Sequence, residues 1–452
     1  MSAGSPDRLR IAVIGTGISG LAAAWLLSRS HEVTVYERSE RLGGHSNTVD
    51  AVTADGVTPV DTGFIVYNEQ TYPNLTALFD LLDVPTEDSE MSFAVSLGGG
   101  SLEYSGSNVA TVFAQKRNML RPRFWSMLRD LRRFYNEASA QVTRLEAMGT
   151  TLGDYLKSEK FGSAFREDHL LPMAAAIWSA PAKAMLDYPA ASFIRFHDNH
   201  GLLKLKDRPT WRTVTGGSRN YISRLVRDFA GRVRLNNAVV SIRRDPNGVD
   251  LRDADGDVRR YDHVIVATHA DQALAMLSDA TATERNILSA FRYSRNLAVL
   301  HSDESLMPKR RAVWSSWNYI GDRKTIDNTG ATVTYWMNRL QNIRSATPLF
   351  LTLNPTRTPH TGTIHHNEIY QHPLFDSAAM AAQRNLWSLQ GRRRTWFAGS
   401  YFGSGFHEDG LQAGLAAAEA VGGVRRPWSV PNESGRIYVE ALSPAAVLEA
   451  AE

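Results

Sequence analysis

Gly15-Thr16-Gly17-Ile18-Ser19-Gly20 follows an apolar run, Leu9 to Ile14, and opens an Ala/Leu-rich stretch, Leu21 to Leu27. Glycines at this spacing, between a strand and a helix, suit a dinucleotide. Gly15 permits the tight turn, Gly17 lets the backbone approach a pyrophosphate, and Gly20 lets helix pack on strand. At the helix start, Ile18 and Ser19 offer unpaired N–H groups and a partial positive charge to phosphates. Glu37 stands 17 residues beyond Gly20, at the end of a second apolar run, where a carboxylate can take ribose hydroxyls. A bare Gly-rich turn has the same letters. The flanking strands and the spaced acid argue for a nucleotide, although NAD would satisfy them as well as FAD.

These residues must be positioned by a strand–helix–strand unit over the first fifty residues, and strand and helix patterns of that type recur twice. Leu235 to Ala267 carries strands with a turn at Asp245-Pro246-Asn247-Gly248 and a buried run, Val264 to Ala267; Trp396 to Gly399 is a short strand before a Gly/Ala helix. The expected fold is α/β: a discontinuous Rossmann-type domain (1–75, 215–290 and 391–422) with an inserted α+β substrate domain (76–214 and 291–390). The inserted part shows a hairpin at Phe93–Leu97 and Leu102–Tyr104, a helical stretch from about Val112 to Leu156, and strands rich in Trp and Tyr between Phe291 and Pro355. Residues 423–452 read as a tail without assigned function. With 452 residues the chain has room for a large core and a buried cofactor.

Cysteine is absent, which excludes disulfides, thiolate metal sites, iron–sulfur clusters, a Cys nucleophile and a cysteinyl-linked flavin. No metal site is expected. The polar start, Met1 to Arg10, has no signal-peptide pattern, and no apolar stretch approaches the ~18 residues that span a bilayer. The expected location is therefore cytoplasmic.

Glu37-Arg38-Ser39-Glu40-Arg41-Leu42-Gly43-Gly44-His45 resembles the acid-then-Gly-Gly signature of the flavin amine oxidase and phytoene desaturase superfamily. The resemblance implies FAD as cofactor. It places Gly43 and Gly44 beside the flavin's phosphates and ribityl chain, counts Arg38 and Leu42 of the same segment among the cofactor-binding residues, and has Arg41 substituting for the Arg usual where His45 stands. Asp61-Thr62-Gly63-Phe64, with Ile65 after it, is similar to the segment that runs past the isoalloxazine ring. Val239, in Ala238-Val239-Val240-Ser241-Ile242, matches the strand residue that bonds adenine, and Ala267 closes the neighbouring strand. Phe397-Ala398-Gly399-Ser400 and Glu408-Asp409-Gly410-Leu411-Gln412-Ala413-Gly414 resemble the C-terminal flavin motif, with Ser400 where the family usually has an acid. A helix beginning near Gly410 would set its positive end toward a reduced flavin.

A closer resemblance runs through Trp314-Ser315-Ser316-Trp317-Asn318-Tyr319, Tyr335-Trp336-Met337-Asn338-Arg339-Leu340-Gln341 and Gly405-Phe406-His407-Glu408-Asp409-Gly410. These look like a bacterial branch described as NAD/FAD-binding proteins. The branch includes desaturases of methylated fatty acyl chains on the route to furan fatty acids, and its members accompany cyclopropane-fatty-acyl-synthase-like enzymes. It implies a lipid or fatty acyl substrate and a neighbouring lipid methyltransferase as partner.

Desaturation sends a hydride to flavin N5 and a proton to a base. His407 and Glu408, immediately before the flavin helix, are the expected bases; Tyr67 and Asn68 come next. An acid in the first turn also favours any helix, so Glu408 has a structural reading too. Many amine-oxidising members carry a Lys on a strand that here reads Arg295-Asn296-Leu297-Ala298-Val299-Leu300. Its absence counts against amine oxidation, which stays as the alternative enzyme; a non-catalytic flavoprotein serving a lipid-modifying enzyme is the third reading. Trp317 and Tyr319 share one strand face, Tyr335 and Met337 another, and either pair could line an acyl pocket or serve as core. Lys116, Arg117, Arg121, Arg123, Arg129, Arg132 and Arg133 alternate with aromatics and Met, interrupted only by the acid Asp130. That pattern suits peripheral association with an anionic inner membrane. A net charge of +3 is too small to favour nucleic acid.

Overall fold

The computed structural model describes residues 8–178, 181–204, 207–322 and 332–439. The tail expectation beyond 439 and part of the Trp/Tyr-rich segment fall outside them.

Three separated blocks of sequence meet in one parallel sheet. Its strand order is Val233–Arg234, Glu32–Tyr36, Arg10–Ile14, His263–Val266, Thr395–Phe397. The central strand has both faces covered, which is why Ile11, Ala12, Val13 and Ile14 form an unbroken apolar run. All ten residues of the first helix, Ile18–Leu27, are buried, because the C-terminal helix, His407–Gly422, covers the side turned away from the sheet. The two helices meet at glycine: a Cβ on Gly414 would lie 2.1 Å from the Ser19 carbonyl oxygen. A three-stranded antiparallel ribbon (Val239–Asp245, Gly248–Asp253, Val258–Tyr261) lies between two strands of this sheet in the chain, and the expected Asp245–Gly248 turn joins its first two strands.

The inserted region is built on a seven-stranded mixed sheet. Its order is Ile364–Leu374, Arg292–His301, Phe350–Leu353, Thr332–Trp336, Trp317–Gly321, Phe93–Leu97, Leu102–Ser105. The Gly-rich hairpin sits at its edge, pairing Ala94 with Ser105 and Leu97 with Leu102. The stretch expected to be helical breaks into Pro122–Glu137, Val142–Ala147, Leu152–Ser158 and shorter turns, since Pro122 and Gly149 interrupt any single helix.

The described part of the tail has a structural role that the sequence did not disclose. Arg426 is buried, its guanidinium bonded to Glu419 at 2.8 Å and to the Asn74 side chain at 2.9 Å. Trp428 stacks on Trp25 with 5.8 Å between ring centroids. Arg436 reaches Asp409 at 2.6 Å. The chain after the C-terminal helix therefore straps that helix to Pro73–Leu81 and to the first helix.

Candidate active site and cofactor cradle

A single cavity of about 1310 Å³ runs from the parallel sheet to the mixed sheet. Of the residues expected at the cofactor, Gly15, Gly17, Ile18, Ser19, Glu37, Arg38, Arg41, Gly43, Gly44, His45, Thr62, Gly63, Phe64, Ile65, Val239, Ala267, Gly399 and Ser400 line it. Gly20, Leu42, Asp409, Gly410 and Leu411 do not, and they are better described as residues that shape its walls. Gly20 packs so closely on the turn that a Cβ would stand 2.0 Å from the Gly15 carbonyl oxygen. Gly410 faces Ser19 and Ile18 across the helix pair. Leu411 is core, Leu42 packs against it, and Asp409 caps its own helix by accepting from the Phe406 N–H at 2.7 Å.

The cradle fits a dinucleotide on its own geometry. A Cβ built on Gly17 meets no atom within 4 Å; the space in front of it belongs to the cavity. Glu37 is held for ribose by three donors: the Thr16 N–H at 3.0 Å, the Thr16 hydroxyl at 2.5 Å and the Ser39 N–H at 2.9 Å. Arg41 donates to the Gly44 carbonyl at 2.8 Å and lies 3.7 Å from Glu368, so it braces the Gly-Gly turn while facing the cavity. His45 cannot replace the charge of an Arg. Burial, with His269 and Arg41 nearby, lowers its pKa to about 4.

Gly17→Val is expected to leave the fold intact and abolish FAD binding, because the new side chain would enter the pyrophosphate space. The measurement is flavin per protein after purification, alongside far-UV circular dichroism. Wild-type flavin content in the variant would contradict the assignment.

The four expected catalytic side chains separate. His407 lines the cavity, stacked on Phe64 with 3.9 Å between centroids and 12° between planes. Its Nε2 lies 2.7 Å from the Tyr221 hydroxyl and 3.3 Å from Ser46 Oγ, and those two hydroxyls are 2.5 Å apart. Burial lowers the His407 pKa to about 3, so the imidazole is neutral. Glu408 is corrected: its carboxylate turns away from the cavity. It accepts from the Asn74 backbone and side chain at 3.1 and 2.8 Å, from the Leu75 N–H at 3.0 Å and from Gln412 at 3.0 Å. It thus caps the helix Pro73–Leu81, as a carboxylate at a helix N-terminus should. Tyr67 is core, 5.3 Å from Phe79, and Asn68 closes a turn by accepting from the Thr71 N–H at 2.9 Å. Neither lines the cavity, because the short strand they form pairs with Trp211–Val214.

Sequence reasoning missed Tyr221 and Ser46, and also the imidazole cluster at the cradle, where His372 and Tyr370 lie 5.5 and 5.1 Å from His45. Nothing in their local spacing marks them, since they come together from distant strands and helices. The aromatic strand residues divide. Trp317 and Tyr335, paired in register and edge-to-face at 4.8 Å, line the cavity, whereas Tyr319 and Met337 are core. Among the described residues no group of three His, Cys, Asp or Glu could hold a metal ion.

Comparison with known proteins agrees with this geometry. Residues 18–301 match the family model described as flavin containing amine oxidoreductase. A Mycobacterium tuberculosis protein provisionally named as the flavin-containing monoamine oxidase AofH is 28% identical over 258 residues, 56% of this chain and 55% of that one. The chain therefore spans just over half the length of this relative. Solved structures that share the fold include the CLA-producing fatty acid isomerase from P. acnes (TM-score 0.64, 16% identity, covering 91% of this chain and 98% of that one) and cyclohexylamine oxidase from Brevibacterium oxydans (TM-score 0.63, 18% identity, 92% and 99%). With the cradle and the family match together, this chain belongs to the flavin-containing amine oxidoreductase family, which implies FAD as its cofactor.

Proposed function

We propose that the protein desaturates a lipid acyl chain, with a methylated unsaturated fatty acyl group of a phospholipid as the substrate class. The observation that carries this reading is the character of the cavity beyond the cradle. It continues between Met173, Ile177, Trp178, Phe196, Trp317, Tyr335, Leu351 and Leu353, a long apolar wall suited to a hydrocarbon. Arg208 lines the same arm and acts electrostatically on Tyr135 and His169; a guanidinium there suits the anionic end of an amphiphile.

FAD held by the cradle would supply a two-electron oxidant able to accept a hydride. The substrate gives up that hydride, with its electron pair, from one carbon and a proton from the next, and the bond between them gains one order. His407 takes the proton. With Nε2–H donated to Tyr221, the Nδ1 lone pair is free to accept it. A histidine held this far below 6.5 is a weak base, so proton transfer accompanies or follows hydride loss, when the carbon skeleton carries positive charge.

The fold itself does not choose a substrate, because its neighbours act on amines and on fatty acids. Amine oxidation is disfavoured by the strand Arg292–His301: it carries no Lys, and its buried Asn296 bonds His372 at 3.1 Å. Anaerobic mixing tests the proposal. A methylated unsaturated acyl lipid should bleach the flavin's visible band while primary and secondary amines leave it unchanged. Bleaching by amines alone would replace this reading with amine oxidation. Bleaching by neither would favour a flavoprotein without this chemistry.

A further inference from the structure

The basic stretch noted in the sequence divides in the fold. Arg123 is committed to Asp168 and Glu167 at 2.8 and 3.0 Å, and Arg133 lies 3.9 Å from the Phe161 ring centroid while donating to the Glu159 carbonyl. These two hold the helix Pro122–Glu137 against the protein. Lys116, Arg129 and Arg132 stand exposed, Arg129 while donating to Asp130 at 3.3 Å. Between 107 and 136 the single acid, Asp130, is buried and accepts from the Gly162 N–H at 2.9 Å.

The same segment leaves large apolar side chains in solvent. Leu120 is 86% exposed, Val109 76%, Trp125 51% and Met119 46%. They form one patch, since the Trp125 indole N–H donates to the Met119 carbonyl at 2.8 Å and its ring lies 5.4 Å from Phe113, whose N–H bonds the Val109 carbonyl. On the inner side Phe113 touches Phe124 at 5.9 Å, and Phe124 meets Tyr104 edge-on at 5.6 Å. Tyr104 lines the cavity, as do Gly106 and Ser107 just before this segment. The rings of Phe113, Phe124 and Tyr104 thus run in succession from the exposed patch to the cavity.

We propose that this patch docks on an anionic lipid bilayer. Val109, Met119, Leu120 and Trp125 enter the interface, while Lys116, Arg129 and Arg132 meet the headgroups. An apolar face rimmed by cations, with no exposed acid between 107 and 136, is what such a surface attracts. The inference rests on the acyl-lipid reading, since it brings the cavity to the place where its substrate resides. No helix among the described residues is long and apolar enough to cross a membrane, so attachment is from one face.

Co-sedimentation of the FAD-loaded protein with phosphatidylcholine vesicles, with and without phosphatidylglycerol, tests the proposal. Binding should need the anionic lipid and fall with salt. Lys116→Glu/Arg129→Glu/Arg132→Glu should lose at least about a hundred-fold in partitioning, at about 1 kcal/mol for each basic group. Leu120→Asp/Trp125→Asp should lose at least about ten-fold, and Leu120→Ser is the milder variant if the double change lowers flavin content. Both sets should still be reduced at wild-type rate by acyl substrate dispersed in detergent, which separates docking from chemistry. Wild-type protein that ignores anionic vesicles, or variants that bind them as wild type does, would overturn the proposal; a patch that serves a protein partner would give the first result. Failure of every acyl substrate would overturn the functional reading and leave the vesicle result standing.

Discussion

Anaerobic reduction of the flavin by an acyl substrate is expected to slow about 10²–10⁴-fold in His407→Asn, with FAD content unchanged. Asn keeps a polar group of similar reach but cannot take the proton. Tyr221→Phe should give a smaller loss, because it removes the hydroxyl 2.7 Å from His407 Nε2 that fixes the ring without removing the base. Glu408→Gln should behave differently. Its carboxylate caps the helix Pro73–Leu81, so the variant should lose stability while reducing at near wild-type rate per bound flavin. Single-turnover absorbance is the measurement, since steady-state rates fold in reoxidation. His407→Asn reducing at wild-type rate would place the base elsewhere.

Unfolding between about pH 6 and pH 5 is the second large effect expected. Nine of the 13 histidines are lowered by burial to about 3 or 4: His45, His169, His197, His200, His263, His269, His301, His372 and His407. Each is neutral when folded and gains a proton near 6.5 when unfolded. Their contribution is therefore fully present above pH 6.5 and is lost as pH falls toward the folded values. At pH 5 the cost is about 2 kcal/mol for each histidine. Asp61, pushed up to about 6 by burial, works in the opposite direction, as do Glu408 and Asp409, both raised. Three carboxylates do not balance nine imidazoles. The net loss, on the order of 10 kcal/mol, rivals the whole stability of an ordinary domain. Tryptophan fluorescence against pH is the check, and a native spectrum retained at pH 4 would contradict it.

The cradle was legible in the sequence because its parts are local. The Gly15–Gly20 turn, Glu37 and the Gly43-Gly44 pair act through backbone and through contacts within one strand–helix–strand unit, so spacing carries their meaning. The discontinuous sheet was legible for a related reason: doubly covered strands such as Val264 to Ala267 must be apolar runs. The proton-handling group was only half legible. His407 and Glu408 are neighbours in sequence, but successive residues on a helix point about 100° apart, and which one faces the cavity depends on packing. Glu408 found Asn74, Leu75 and Gln412; His407 found Phe64 and Tyr221. The clamp of Arg426 and Arg436 was invisible, since two arginines in a Pro-containing tail look solvated until their partners, Glu419, Asn74 and Asp409, are brought to them. The basic segment misled in part, as Arg123 and Arg133 serve the fold rather than the surface.

Desaturation removes two hydrogens from the acyl chain beside the flavin, and the mass of the recovered lipid reports this directly. FAD-loaded protein is mixed anaerobically with a slight excess of methylated unsaturated phospholipid, the bleaching is recorded, and the lipid is extracted for mass spectrometry. One lipid molecule lighter by two hydrogens is expected for each flavin reduced. Lipid rearranged at unchanged mass with the flavin still oxidised would indicate isomerisation, and lipid untouched while an amine bleaches the flavin would indicate amine oxidation; either result would contradict desaturation.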